Sequence, residues 1–117
     1  MVFMIGCDPE VFVKENGKPV SAYGLVEGTK KAPFKTSHGA YQVDGMALEF
    51  NTDPVDANDF EGFNLNVVRT LADLKKALPE GKYNISSVPV MEFGLEYIEA
   101  QPEEAKELGC DPDYDAY

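Results

Sequence analysis

Three carboxylates in this sequence, one with a polar asparagine beside it, have the type and spacing to hold a hard cation. Asp8 and Glu10 stand two apart in Ile5-Gly6-Cys7-Asp8-Pro9-Glu10-Val11-Phe12-Val13, and Glu49 and Asn51 stand two apart in Leu48-Glu49-Phe50-Asn51. Divalent metals such as Mg2+ prefer oxygen ligands. Carboxylates crowded on a half-buried surface repel one another, and a bound cation relieves that repulsion. The other reactive groups are sparse. His38, the only histidine, lies in Ser37-His38-Gly39 with no nucleophile beside it, which reads as a solvated turn. Gly28-Thr29-Lys30-Lys31 could offer a backbone N–H and an ammonium group to a phosphate, but it lacks the full phosphate-loop pattern. On residues alone it reads as an exposed lysine pair. Cys7 and Cys110 read as buried structural thiols rather than a disulfide or metal ligands.

The elements that must position the acids follow from periodicity. The opening stretch alternates, with Phe3, Ile5, Cys7, Val11 and Val13 toward one face and Asp8 and Glu10 toward the other. Asn16-Gly17 predicts a two-residue hairpin returning through Val20, and Pro19 marks that return as a sheet edge. Residues 23–39, punctuated by glycine and proline, read as loop with short strands. Asp44-Gly45 predicts a second hairpin that pairs Val43 with Met46, Gln42 with Ala47 and Tyr41 with Leu48. Tyr41, Val43, Met46, Leu48 and Phe50 then form an apolar face, and Gln42, Ala47, Glu49 and Asn51 its reverse. That reverse face reads equally as a wet sheet surface or as a site.

Phe60, Phe63, Val67, Leu71, Leu74 and Leu78 recur at helical spacing, predicting an amphipathic helix over 57–78. Asp56 or Asn58 would cap it, Asn58 with Glu61 as a capping box. Its stripe is expected to cover the apolar face of the sheet. Residues 83–90 read as a strand that Pro89 makes irregular, and 102–109 as a short helix. The string Gly109-Cys110-Asp111-Pro112-Asp113 nearly repeats Gly6-Cys7-Asp8-Pro9-Glu10.

At 117 residues the chain has the length of one domain, 1–117. Its formal net charge of −11 argues against nucleic acid as a partner, because phosphate backbones are met by basic stripes. Residues 92–117 hold nine acids against Lys106 alone, a solvated acidic surface or, more sharply, a DNA-mimicking or cation-binding one. No run nears the roughly 20 apolar residues of a membrane span, and the N-terminus lacks a signal pattern. The expected location is the cytoplasm.

Taken together, Ile-Gly-Cys-Asp-Pro-Glu-Val-Phe, Gly28-Thr29-Lys30, Val43-Asp44-Gly45 leading to Leu48-Glu49-Phe50-Asn51, and the closing Gly-Cys-Asp-Pro-Asp resemble the phage-type COOH–NH2 ligases. These are amidoligases of the glutamine synthetase and glutamate–cysteine ligase superfamily. The resemblance implies an α+β fold, in which a mostly antiparallel curved sheet packs its apolar face on one long helix, like part of a glutamine synthetase-like catalytic domain. It implies ATP-dependent joining of a small-molecule or peptide carboxylate to an amine through an acyl-phosphate, with Mg2+ as cofactor. Residue by residue, it makes Asp8, Glu10 and Glu49 metal ligands, Glu10 and Glu49 catalytic, and Lys30 and Asn51 contacts to ATP. Family members are longer, and Arg69 is the only arginine here. The chain is therefore expected to be the N-terminal part of such a ligase, incomplete or inactive by itself unless homo-oligomerisation supplies the rest. It would act in the infected host's cytoplasm if phage-encoded. Two other functions fit the residues: a non-catalytic acidic phage protein binding a host or virion partner, and a plain divalent-metal-binding domain.

Overall fold

A computed structural model describes residues 3–88 and 90–106 of the chain. Pro89, Cys110 and the closing Gly109–Asp113 string lie outside the described residues. The fold is α+β, with antiparallel sheets and helices. Its elements in chain order are β1 (Met4–Ile5), β2 (Glu10–Val11), β3 (Val13–Glu15), β4 (Lys18–Val20), β5 (Phe34–Lys35), β6 (Gly39–Asp44), β7 (Ala47–Thr52), β8 (Val55–Asp56), α1 (Phe60–Ala77), β9 (Tyr83–Ile85), α2 (Leu95–Glu99) and α3 (Glu103–Lys106).

Every strand pairing is antiparallel, but the strands form three sheets rather than one: β1-β8, β2-β7-β6-β5 and β4-β3-β9. The opening stretch is shared among all three. The Cys7 and Pro9 carbonyls accept hydrogen bonds from the Thr52 and Phe50 amides of β7, and Glu10 and Val11 continue that ladder opposite Glu49 and Leu48. At Phe12 the chain changes partner, its carbonyl accepting from the Ser86 amide in line with the β3–β9 register. A strand that leaves one sheet for the next turns a corner between them. Alternation alone reports the two faces and not this change of partner.

Both hairpins form, with different turn chemistry. Asn16 and Gly17 take positive φ (51° and 80°), as a type I′ turn requires, and β4 is an edge strand, as Pro19 indicates. At the second hairpin only Gly45 takes positive φ (60°), and the pairs are Asp44 with Ala47, Val43 with Leu48, Gln42 with Glu49 and Tyr41 with Phe50. Gly45-Met46 is the turn, with glycine at the first central position as in type II′. This register is one turn residue further along than Asp44-Gly45 implies. The face assignments survive because the shift preserves parity; Met46 leaves the apolar face and Asp44 enters the strand.

Helix α1 starts later than the periodicity suggests. Its cap is Asp59, whose Oδ1 accepts from the Gly62 amide at 2.9 Å. A side chain on Gly62 would collide with that carboxylate, so the pairing of Asp59 with Gly62 selects this start over the Asn58–Glu61 box. Asp56 instead accepts from the Asn58 amide at 2.8 Å, turning the chain out of β8. Phe60 is 78% exposed, while Leu74 and Leu78 are buried with Tyr41, Leu48, Phe50, Val13 and Ala22 in the core. Gly39 lets α1 lie close against β6, since a Cβ there would run into the Asn51 carbonyl and fall 2.8 Å from Thr70 Oγ1. No helix among the described residues is long and apolar enough to cross a membrane.

Candidate functional site

Three adjacent strands build the candidate site. Glu49 lies on β7, directly opposite Gln42 of β6 on one side and Glu10 of β2 on the other. Asp44, two residues beyond Gln42, sits on the diagonal to Glu49; its direct partner Ala47 carries only a methyl group, which leaves that diagonal open. Carboxylate oxygens of Glu10, Asp44 and Glu49 all lie within 4.8 Å of one another. Like charges directly opposite on a sheet are destabilising, so this face holds repulsion that a proton or cation would relieve.

The electrostatics record that repulsion. Burial first, then the charges of Asp44 and Glu10, hydrogen bonding to Asp44 and the charge of Asp8 push Glu49 up to about 7. Glu10 is held above the usual carboxylate range by hydrogen bonding to Asp44, then by burial and the Asp44 charge. Glu49 is also oriented from the side, its Oε2 accepting from Gln42 Nε2 at 3.1 Å.

The donor set suits a hard cation. All three side chains present oxygen, and all three stand on paired strands. Two oxygens on opposite sides of one ion are about 4.2 Å apart for Mg2+ and about 4.8 Å for Ca2+, a span that matches this cluster.

Of the residues singled out by sequence, the fold thus brings Glu10 and Glu49 together. Asp8 is exposed and outside the group of three, close enough to act on Glu49 through its charge. Asn51 lies one position further along the same face of β7, paired with Ala40 and outside the group. Lys30 lines a cleft of about 460 Å³ with Tyr23, Thr29, Lys31, Asp44 and Glu104, so it borders the cluster through Asp44. A second cleft of about 390 Å³, between residues 34–37 and the end of α1, touches none of the clustered acids. His38 supplies its carbonyl to the Asp53 amide.

Sequence reasoning missed Asp44 because it placed that residue in the turn. Reading Gly45-Met46 as a glycine-first turn would have put Asp44 on the strand and on the Glu49 face. Cys7, a free thiol among the described residues, is half-buried, with its backbone amide donating to Thr52 Oγ1 at 2.9 Å.

No protein-family model, curated protein or solved structure matches this chain.

Proposed function

We propose that the chain forms one wall of an ATP-dependent carboxylate–amine ligase site, in which Glu10, Asp44 and Glu49 hold Mg2+. The observation that carries this reading is the convergence of three carboxylates from three adjacent strands. Bound there, Mg2+ would neutralise the triphosphate and the phosphoryl group in transfer. Gln42 orients Glu49. Lys30 and Lys31 line the neighbouring cleft together with Asp44, and there they would supply positive charge to a phosphate. Asp8 adds negative potential without direct ligation. The likeness to part of a glutamine synthetase-like domain rests on the sequence motifs and on this strand-borne acid cluster.

Calorimetric titration with Mg2+ and then with ATP tests the proposal, followed by ADP release with a carboxylate and an amine supplied. Glu49→Gln is expected to abolish Mg2+-dependent ATP binding. A chain that binds neither Mg2+ nor ATP at about millimolar concentration refutes it. A second reading, divalent-cation binding without ligase chemistry, is favoured by Arg69: the single arginine lies exposed on α1, away from the cluster. Mg2+ binding with no effect of ATP selects that reading.

A further inference from the structure

The opening strand is an edge from Phe3 to Val11. It runs beside residues 48–57 through the β1–β8 pairing, the Cys7 and Pro9 carbonyls and the β2–β7 pairing. Its outer side pairs with no strand among the described residues, since β1 and β2 are terminal strands of their sheets. The bonds along β1 show which groups are left over. The Phe3 carbonyl accepts from the Ala57 amide at 2.8 Å, and Met4 stands opposite Asp56. Directly opposed residues of an antiparallel ladder alternate between bonded and non-bonded pairs. Met4 is therefore in a non-bonded pair, and its N–H and C=O point to the open side. Such an edge is a template for a further strand, and proteins commonly guard it with lysine or proline. Between Phe3 and Cys7 there is neither.

The side chains at this corner are apolar and acidic. Phe3 is 67% exposed, Met4 59% and Ile5 40%, and the exposed Phe60 begins α1 three residues past Ala57. Single exposed apolar residues are ordinary, whereas several large ones in one place mark an interaction surface. The two faces of the ladder differ. Phe3 and Ile5 share a face with Ala57 and Val55, and Met4 shares the other with Asp56. Asp56, Asp59 and Glu61 are exposed, and none of them pairs with a cation among the described residues. No lysine or arginine occurs in residues 1–13 or 36–68. A second copy of this chain, a nucleic acid or an anionic lipid surface would set negative charge against negative charge here.

We propose that the open edge at residues 3–7 receives an extended basic segment of a partner protein, added as a strand. Its backbone bonds the outward N–H and C=O of Met4. Its apolar side chains fall on the Phe3–Ile5 face and its lysines or arginines on the Asp56 face. In this mode of recognition the main chain gives affinity and alternate side chains give specificity. The proposal stands whether or not the acid cluster holds Mg2+.

A short blocked peptide of alternating lysine and valine, titrated into the full chain in chelator, is the probe. Peptides of alternating glutamate and valine and of alternating lysine and serine are the controls for charge and for apolar contact. The lysine–valine peptide is expected to bind more tightly than either control and to slow hydrogen exchange at the Met4 amide. Met4→Pro removes the outward donor and leaves the inward bonds of Phe3 in place, so it is expected to weaken that binding by about threefold to tenfold. Asp56→Asn can still accept from the Asn58 amide but loses its charge, and is expected to weaken it by about twofold to fivefold. A lysine–valine peptide that fails to bind at about millimolar concentration overturns the proposal. So does one that binds no better than either control, or that leaves Met4 exchange unchanged. A chain that sediments as a dimer and becomes monomeric on Met4→Pro overturns it in favour of a second copy at the same edge.

Discussion

Replacing Glu49 with glutamine should make the metal-free protein more stable at neutral and alkaline pH, and insensitive to Mg2+. Glu49 sits above its ordinary 4.5, at about 7, because burial and the Asp44 and Glu10 charges favour its protonated form. The folded state therefore holds this proton more tightly than the unfolded chain does. The associated stability is complete below about 4.5 and is lost as pH rises through about 7. A rise of that size corresponds to about 3 kcal/mol if fully shielded from water. Water reaches the open side of the cluster, and screening reduces this to about 1–2 kcal/mol. Glutamine keeps the shape, can still accept from Gln42 and carries no charge. The variant should thus unfold about 3–8 °C higher than the unmodified protein at about pH 8, and at a similar temperature near pH 4.5. Adding Mg2+ at about ten times its dissociation constant should stabilise the unmodified chain by about 1.4 kcal/mol. The same addition should leave the variant unmoved. Thermal unfolding followed by circular dichroism, in chelator and in Mg2+ at both pH values, reads all of these quantities. A variant that is no more stable than the unmodified chain in chelator at about pH 8 would refute the repulsion on which the site is built.

Two further outcomes follow from the same structure. Asp44→Asn should return the Glu49 titration toward the ordinary carboxylate range, because Asp44 acts on it through both charge and hydrogen bonding; it should also weaken Mg2+ binding by about tenfold, equivalent to about 1.4 kcal/mol. Carbon-detected NMR of the Glu49 carboxyl and calorimetry check these, and an unchanged titration would remove Asp44 from the site. Thr70→Val should stabilise the fold by about 1 kcal/mol in denaturant unfolding, since Thr70 is fully buried with no hydrogen-bond partner for its hydroxyl among the described residues. A loss of stability would show instead that the hydroxyl is paired.

Much of the local structure was legible in the residues. Asn16-Gly17 reports its hairpin because both positions require positive φ. The Val67, Leu71, Leu74 and Leu78 spacing reports the core-facing half of α1. Elements with weak local signals were not legible. β8 is two residues whose only warrant is pairing with β1, and α2 buries no residue that would leave a periodic trace. The start of α1 was misjudged because Asn58 and Asp59 are both good caps, and a glycine three residues after the second decides between them.

For the acid cluster, sequence alone determined which face each strand residue occupies, because side chains alternate along a strand whatever its partners are. That put Glu10 and Glu49 off the apolar core and Gln42 on the same face as Glu49, although the expected register set Gln42 opposite Ala47 rather than Glu49. Only the tertiary structure decided that the opening segment pairs with β7 along residues 7–11 and then departs at Phe12, and that the second turn is Gly45-Met46, which returns Asp44 to the strand. These are choices, the first between non-local pairings and the second between two adjacent turn registers of one hairpin, with similar local propensities in each case. They are made by the burial of Leu48, Phe50 and Leu74 in one core, which no window of sequence contains. The three carboxylates meet because that core sets the register of three strands at once.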